Sequence, residues 1–171
     1  MINPPALRSL LQDVAEGTVQ PSDAEQRLLA ALREQPFLDL GFARVDHHRP
    51  IRHGFPEVVL GLGKTPAQIA SIATEIARRG STLLITPATN EAYSAVRAEL
   101  PAAAYHAEAR IISLRQQDVA AGTGTILVVA AGTSDLPVAE EAAHTAELMG
   151  NLVGRVYDVG VAGIHPLLGQ R

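Results

Sequence analysis

Residues 125–143, TILVVAAGTSDLPVAEEAA, decide the fold. An unbroken apolar run ends in Gly132, and a polar Thr-Ser-Asp precedes a second run of different period. Continuous apolar residues suit a strand buried on both faces, the habit of parallel sheets. Val138, Ala142, Ala146 and Met149 then recur at helical spacing over about 136–149. VGRVYDVGV at 153–161 reads as the next strand. The order is β-α-β, right-handed by rule. In open α/β sheets ligands bind beyond the carboxyl ends of the strands, and Gly132-Thr133-Ser134-Asp135 stands there. Free N–H groups at a helix start attract anions, and Thr133 and Ser134 add hydroxyl donors. Asp135 would repel a bare phosphate but accepts hydrogen bonds from ribose hydroxyls. The group therefore suits a sugar phosphate. The plainer alternative is that Ser134 or Asp135 caps the helix. His165 follows the next strand on the same edge, where an imidazole can exchange protons near neutral pH. Its plainer role is a solvent-facing loop histidine. Asp158, read as lying within the strand, is an interior orienting group or half of an ion pair. A lone β-α-β unit exposes most of its sheet, so this layer, 124–171, is expected to be incomplete.

Upstream, residues 41–115 read as a smaller α/β unit. Its strands are GFARV (41–45), EVVL (57–60), STLLIT (81–86) and EARIISL (108–114), and its helices are 66–79 and 90–99, the latter capped by Asn90. EVVLGLGKTP at 57–66 invites a phosphate-gripping reading, but the spacing refuses it. A G-x-x-x-x-G-K-[ST] loop ending at Gly63-Lys64-Thr65 needs glycine at position 58, which is Val58. Thr65 instead caps a helix, Pro66 takes its first turn, and the glycines let the chain bend. Ahead of it, DHHRPIRH at 46–53 packs three histidines, two arginines and an aspartate. That spacing matches no standard zinc pattern. Arg49, Arg52 and Lys64 are candidate clamps for a phosphate or carboxylate, against the plainer reading of a solvated charged turn. Residues 1–40 hold a helical hairpin, 4–16 and 22–34, the second with a Ser22–Glu25 capping box. It reads as a mobile arm or an oligomer contact. QQDVAAGTG at 116–124 reads as the linker. His106, His144 and Tyr93 show no partners in the sequence.

The totals narrow the class. The chain has 171 residues, 47% of them hydrophobic and 19% charged, which suits a globular chain with a real core. A net charge of −4 argues against non-specific nucleic-acid binding. Without cysteine, disulfides, thiolate-bound zinc and thiol catalysis within these residues are excluded. No apolar run reaches the roughly 18 residues of a membrane span, and the first residues carry no secretory pattern. A cytoplasmic protein is the expectation.

Three blocks in order, DHHRPIRHGFPEVVLGLGKTPAQI (46–69), AAGTSDLPVAEEA (130–142) and YDVGVAGIH (157–165), resemble the LarB family of nickel-pincer nucleotide cofactor biosynthesis. The second block is also similar to PurE-type aminoimidazole ribotide carboxylases and mutases. The resemblance implies a flavodoxin-like, PurE-type parallel layer that assembles into octamers. It implies a carboxylase and hydrolase that takes nicotinic acid adenine dinucleotide and CO2 or bicarbonate, and yields pyridinium-3,5-biscarboxylic acid mononucleotide and AMP. It makes Thr133, Ser134 and Asp135 ribose-phosphate binders and His165 the counterpart of the PurE histidine. Arg49, Arg52, Glu57, Lys64 and Thr65 fall in the family signature.

In the family a cysteine adds to the pyridinium ring, with a glutamate assisting later steps, and both lie beyond the histidine block. This chain has no cysteine and reads as a shortened member, inactive by itself. It also has Pro166 and Pro87 where the family usually has arginine. The alternatives are a PurE-type carboxylase of purine synthesis and a non-catalytic nucleotide-binding module. No covalent cofactor or resident metal is expected, although magnesium can assist phosphoanhydride cleavage by neutralising charge.

Overall fold

The computed structural model describes residues 4–33, 37–46, 49, 55, 57–160, 165 and 169. It forms two compact units, Met1–Glu57 and Val58–Arg171. In the first, α1 (Pro4–Ala15) and α2 (Pro21–Arg33) precede an antiparallel pair, β1 (Phe37–Asp39) and β2 (Arg44–Asp46). The start of α2 corrects the expected capping box. The helix begins at Pro21, and the Gln20 carbonyl accepts the N–H groups of Asp23 and Ala24 at 3.0 Å, so Ser22 lies inside the first turn. Pro at a helix start is pre-set in φ and lacks only an N–H that would be unpaired anyway. The expected strand 41–45 also shifts, to 44–46, and gains β1 as a partner. Asp39 accepts the Gly41 N–H at 2.8 Å, and Gly41 has φ of 83°, so the turn sits where the strand was expected to begin.

The second unit holds a mixed sheet in the order β3-β4-β6-β5. Its strands are β3 (Val58–Leu60), β4 (Leu83–Thr86), β5 (Ala104–His106) and β6 (Ile111–Leu114). β3 and β4 are parallel, joined through α3 (Pro66–Arg78), and α4 (Asn90–Glu99) leads to the antiparallel β5 and β6. β5 was not foreseen. The expected strand 108–114 is cut to 111–114 because a turn occupies 107–110, with Arg110 at φ of 53°.

α3 forms as its sequence dictates. Thr65 Oγ1 accepts the Gln68 N–H at 3.2 Å while Gln68 Oε1 accepts the Thr65 N–H at 2.9 Å, a reciprocal capping box. Ile69, Ile72, Ala73 and Ile76 make the buried stripe, and each isoleucine contributes about 1.5–3 kcal/mol by leaving water. Gly80, at φ of 69°, ends the helix. In α4 the cap is Thr89, whose side chain accepts the Ala92 N–H, and not Asn90, which is already helical. Leu83, Ile85, Ile111, Ile112 and Val96 are fully buried between sheet and helices.

The glycines of EVVLGLGKTP have separate geometric reasons. A Cβ on Gly61 would run into the carbonyl oxygen of Pro87, so only glycine lets β3 end against that backbone. Gly63 turns the chain at φ of 77°.

The third sheet is the expected β-α-β: β7 (Thr125–Val129), a 3-10 turn (Thr133–Asp135), α5 (Leu136–Leu148) and β8 (Leu152–Val156), with β7 and β8 parallel. The fold is mixed α/β with parallel strands, as read, and it accords with part of a flavodoxin-like layer. Two-sided burial of β7 does not hold. Ile126, Leu127 and Val129 are exposed, as is Leu152 of β8, because among the described residues β8 is the one strand paired with β7. Among the described residues no helix is long and apolar enough to cross a membrane.

Candidate functional site

The turn at the carboxyl edge of β7 is built from its own side chains. β7 and β8 run on beyond their ladder: the Ala130 N–H donates to the Val156 carbonyl at 3.0 Å and the Gly160 N–H to the Ala131 carbonyl at 2.8 Å. The chain then tightens. The Asp135 N–H donates to the Gly132 carbonyl at 3.1 Å, and Asp135 Oδ2 accepts the Gly132 N–H at 3.2 Å. Asp135 therefore holds the turn in shape and makes no side-chain bond to the first turn of α5. Thr133 and Ser134 are exposed, and no protein partner engages their hydroxyls among the described residues. Opening N–H groups of a helix have no intrahelical acceptor. Here, however, the Leu136 N–H donates to the Thr133 carbonyl and Pro137 has no N–H, so the turn presents chiefly the Thr133 and Ser134 hydroxyls to solvent, beside a carboxylate that already accepts the Gly132 N–H.

The other described residues singled out by sequence have their own local settings. Lys64 Nζ donates to its own loop, to the Leu60 carbonyl at 2.7 Å. Arg49 is exposed, and Arg52 lies outside the described residues. Glu57 Oε2 accepts the Asp46 N–H at 2.8 Å, pinning the end of β2. His165 is exposed, and its carbonyl accepts the Gly169 N–H at 3.1 Å. No hydrogen bond or ion pair joins His165 to Thr133, Ser134 or Asp135 among the described residues. Asp158 is a correction: it lies beyond β8, exposed, at φ of 56°, a left-handed conformation that aspartate tolerates. It is neither interior nor part of an ion pair among the described residues.

Helix α5 carries two further constellations, one on each flank. On one side His144 sits between Glu140 and Glu147, each at 3.4 Å. Arg155 of β8 clamps both carboxylates, at 3.2 Å to Glu140 and 2.6 Å to Glu147. The Arg155 guanidinium holds the Glu147 carboxyl below its usual range. The His144 ring lies 4.2 Å from that of His106 on β5, and His106 Nε2 is 3.0 Å from Ser113 Oγ on β6. Burial, then the nearby charge of His144, pushes the His106 pKa down. His106, Ser113, Arg115, His144 and Glu147 line a cavity of about 480 Å3. The Glu140–His144–Glu147 spacing was readable as one helix face, but His106 and Arg155 reach it only through the fold.

On the other flank a groove of about 480 Å3 opens between α5, β7 and the β3–β4 edge. Its walls are mostly apolar. Its main polar feature is Glu141, whose Oε1 accepts the Thr86 hydroxyl at 2.7 Å. No group of three or more metal-ligating side chains gathers anywhere among the described residues.

Comparison with known proteins fits this arrangement. The LarB/PurE-like N-terminal domain matches residues 37–117. Along 168 residues the chain is 32% identical to the uncharacterized protein MJ0165 of Methanocaldococcus jannaschii, an alignment covering 94% of this chain and 64% of that relative. The match to this relative extends past the N-terminal domain and through the β-α-β unit. Residues 37–117 match a LarB/PurE-like N-terminal domain, and the chain spans about 64% of the length of the relative it matches.

Proposed function

We propose that this chain supplies the dinucleotide-binding part of a LarB-type carboxylase and hydrolase acting on nicotinic acid adenine dinucleotide with CO2 or bicarbonate. The observation that carries the reading is the exposed Thr133-Ser134-Asp135 turn, in a chain that bears the family's N-terminal domain. A phosphate beside Thr133 and Ser134 would take hydrogen bonds from their hydroxyls. Asp135 keeps the turn closed and offers its remaining acceptor capacity to a ribose hydroxyl. Arg49, Arg52 and Lys64 are further candidates for the substrate's anionic groups, and Lys64 must first leave the Leu60 carbonyl. His165 is the candidate for proton handling.

The chemistry needs one group more. Pyridinium carbons are electron-poor and do not attack CO2. A nucleophile must add to the ring to form a neutral enamine, whose carbon attacks CO2; loss of the ring proton and of the nucleophile then restores the pyridinium. These 171 residues contain no thiol for that addition. The chain by itself is therefore a binder, and carboxylation requires a thiol from outside these residues. A cytoplasmic, homo-oligomeric assembly is part of the same proposal.

Calorimetry with the dinucleotide tests it. Saturable binding that weakens about tenfold in Ser134→Ala, the loss of one hydrogen bond to a charged group, is the expected result. An absence of binding by the wild-type chain overturns it. Labelled bicarbonate should leave no label in the nucleotide, and turnover would refute the need for a thiol. Saturable binding of aminoimidazole ribotide in place of the dinucleotide would favour a PurE-type function.

A further inference from the structure

We propose that the contact between His106 and His144 is a proton-sensitive latch, which holds α5 and its β7–β8 sheet against the β3-β4-β6-β5 sheet near neutral pH and releases them as both imidazoles take up protons.

The seam that the latch closes is narrow. A cavity of about 480 Å3 flanks α5 on either side, one lined by Thr86 and Glu141, the other by His106 and His144. Leu148 of α5 packs against a small cluster of Leu84, Ala109 and Ile111. The polar contacts across the seam include the Thr86 hydroxyl on Glu141 at 2.7 Å and the Arg115 guanidinium on the Glu147 carbonyl at 2.8 Å. The rings of His106 and His144, with centroids 4.2 Å apart, bridge it from β5 to α5. With so few links, one unfavourable charge at the seam counts.

The two rings meet a proton differently. His144 lies between Glu140 and Glu147, 3.4 Å from each, so carboxylates receive its charge. His106 Nε2 is 3.0 Å from the neutral Ser113 hydroxyl. The charged groups that share its cavity are Arg115, at the end of β6, and His144 and Glu147 of α5. Glu147 is already held by Arg155 of β8 at 2.6 Å. On the other face of β5, Tyr105 stacks on Tyr93 of α4, with Arg97 beyond it. A second proton therefore enters beside the His144 cation, partly out of water, and both conditions disfavour it.

The direction of the switch follows. Burial and then the charge of His144 hold the His106 pKa below its ordinary 6.5. Released, the ring regains water and the ordinary value, so proton uptake favours the released form as pH falls below 6.5. A ring that stays neutral while closed raises the released-to-closed ratio about thirtyfold between pH 7.5 and pH 5. Partial protonation in the closed form lowers that factor.

The chain has no native cysteine, so two spin labels can be placed without background. Ser71→Cys on α3 and Leu152→Cys on β8 are both at exposed positions. Pulsed electron spin resonance at pH 7.5 and pH 5 reads the distance between the two sheets. A second, broader set of distances should grow about three- to thirtyfold at pH 5, with the far-ultraviolet circular dichroism unchanged. His106→Gln still offers an amide to Ser113 but takes no proton, and should keep the pH 7.5 distances at pH 5. His144→Gln should reduce the growth and leave the part due to burial of His106. Identical distances at both pH values, or undiminished growth in both variants, overturn the latch. Loss of helical signal in step with the new distances means global unfolding, and overturns it as well.

Discussion

Gly61→Ala should be the most damaging single methyl group in the segment 57–66. The added Cβ meets the Pro87 carbonyl oxygen, a backbone atom that cannot swing aside like a side chain. Either β3 or the chain after β4 must move. Overpacking of this kind costs about 1–3 kcal/mol. Movement also lengthens the hydrogen bond from the Gly61 N–H to the Thr86 carbonyl, already 3.3 Å, and its loss adds about 0.5–1.5 kcal/mol. The sum is about 1.5–4.5 kcal/mol, or a fall in Tm of about 3–18 °C for a chain of this size. Urea and thermal unfolding followed by circular dichroism measure it. Gly124→Ala is the control, since a Cβ there meets nothing within 4 Å and should shift stability by no more than about 0.5 kcal/mol. Should Gly61→Ala unfold together with wild type, glycine at 61 is not held by close approach, and the geometric account of the segment fails.

Three other outcomes are expected. Thr65→Ala removes one side of the capping box of α3 and should cost about 0.5–2 kcal/mol in urea unfolding, whereas Thr65→Ser should keep most of it. Arg155→Met leaves Glu140 and Glu147 without their shared cation; the pairs are partly solvated, so a loss of about 0.5–1 kcal/mol is expected, and a salt titration should reduce the difference between wild type and variant. His106 has its pKa held below 6.5, first by burial and then by His144. The unfolded chain therefore binds more protons at this residue, and its contribution to stability is present above about pH 6.5 and is lost as pH falls through the folded pKa. The stability gap between wild type and His106→Gln should narrow from pH 7.5 to pH 5, and parallel pH profiles would contradict the packing of the two rings.

Where local chemistry alone decides structure, the sequence was legible. Thr65-Pro66 marked the start of α3 to the residue, and Gly80 marked its end. The β-α-β order over 125–156 followed from period and punctuation. Thr89 was missed as the cap of α4 because Asn90, equally able to cap, stands next to it, and only the backbone shows which of them is already helical. β1 and β5, three residues each, are too short for alternation to register. The exposure of β7 was hidden for a different reason: an apolar run reports what a strand is suited to cover, not what lies on it. The turn Thr133-Ser134-Asp135 was visible as a group. The inward bond of Asp135 to Gly132 was not, since the same residue could have capped α5. His106 and His144 meet only because β5 folds back beside α5.

Helix α5 is engaged on most of its sides, with Val138 and Ala142 left exposed. Ala139 and Ala143 are buried against the β-α-β sheet, Glu140, His144 and Glu147 engage Arg155 and His106, and Glu141 reaches Thr86. Most helices of this length keep a solvent face on which substitutions drift freely. Here a library of single substitutions should find few permissive positions in the middle turns, fewer than on the exposed face of α4. This thirteen-residue helix would then change more slowly than its small, mostly unbranched residues suggest.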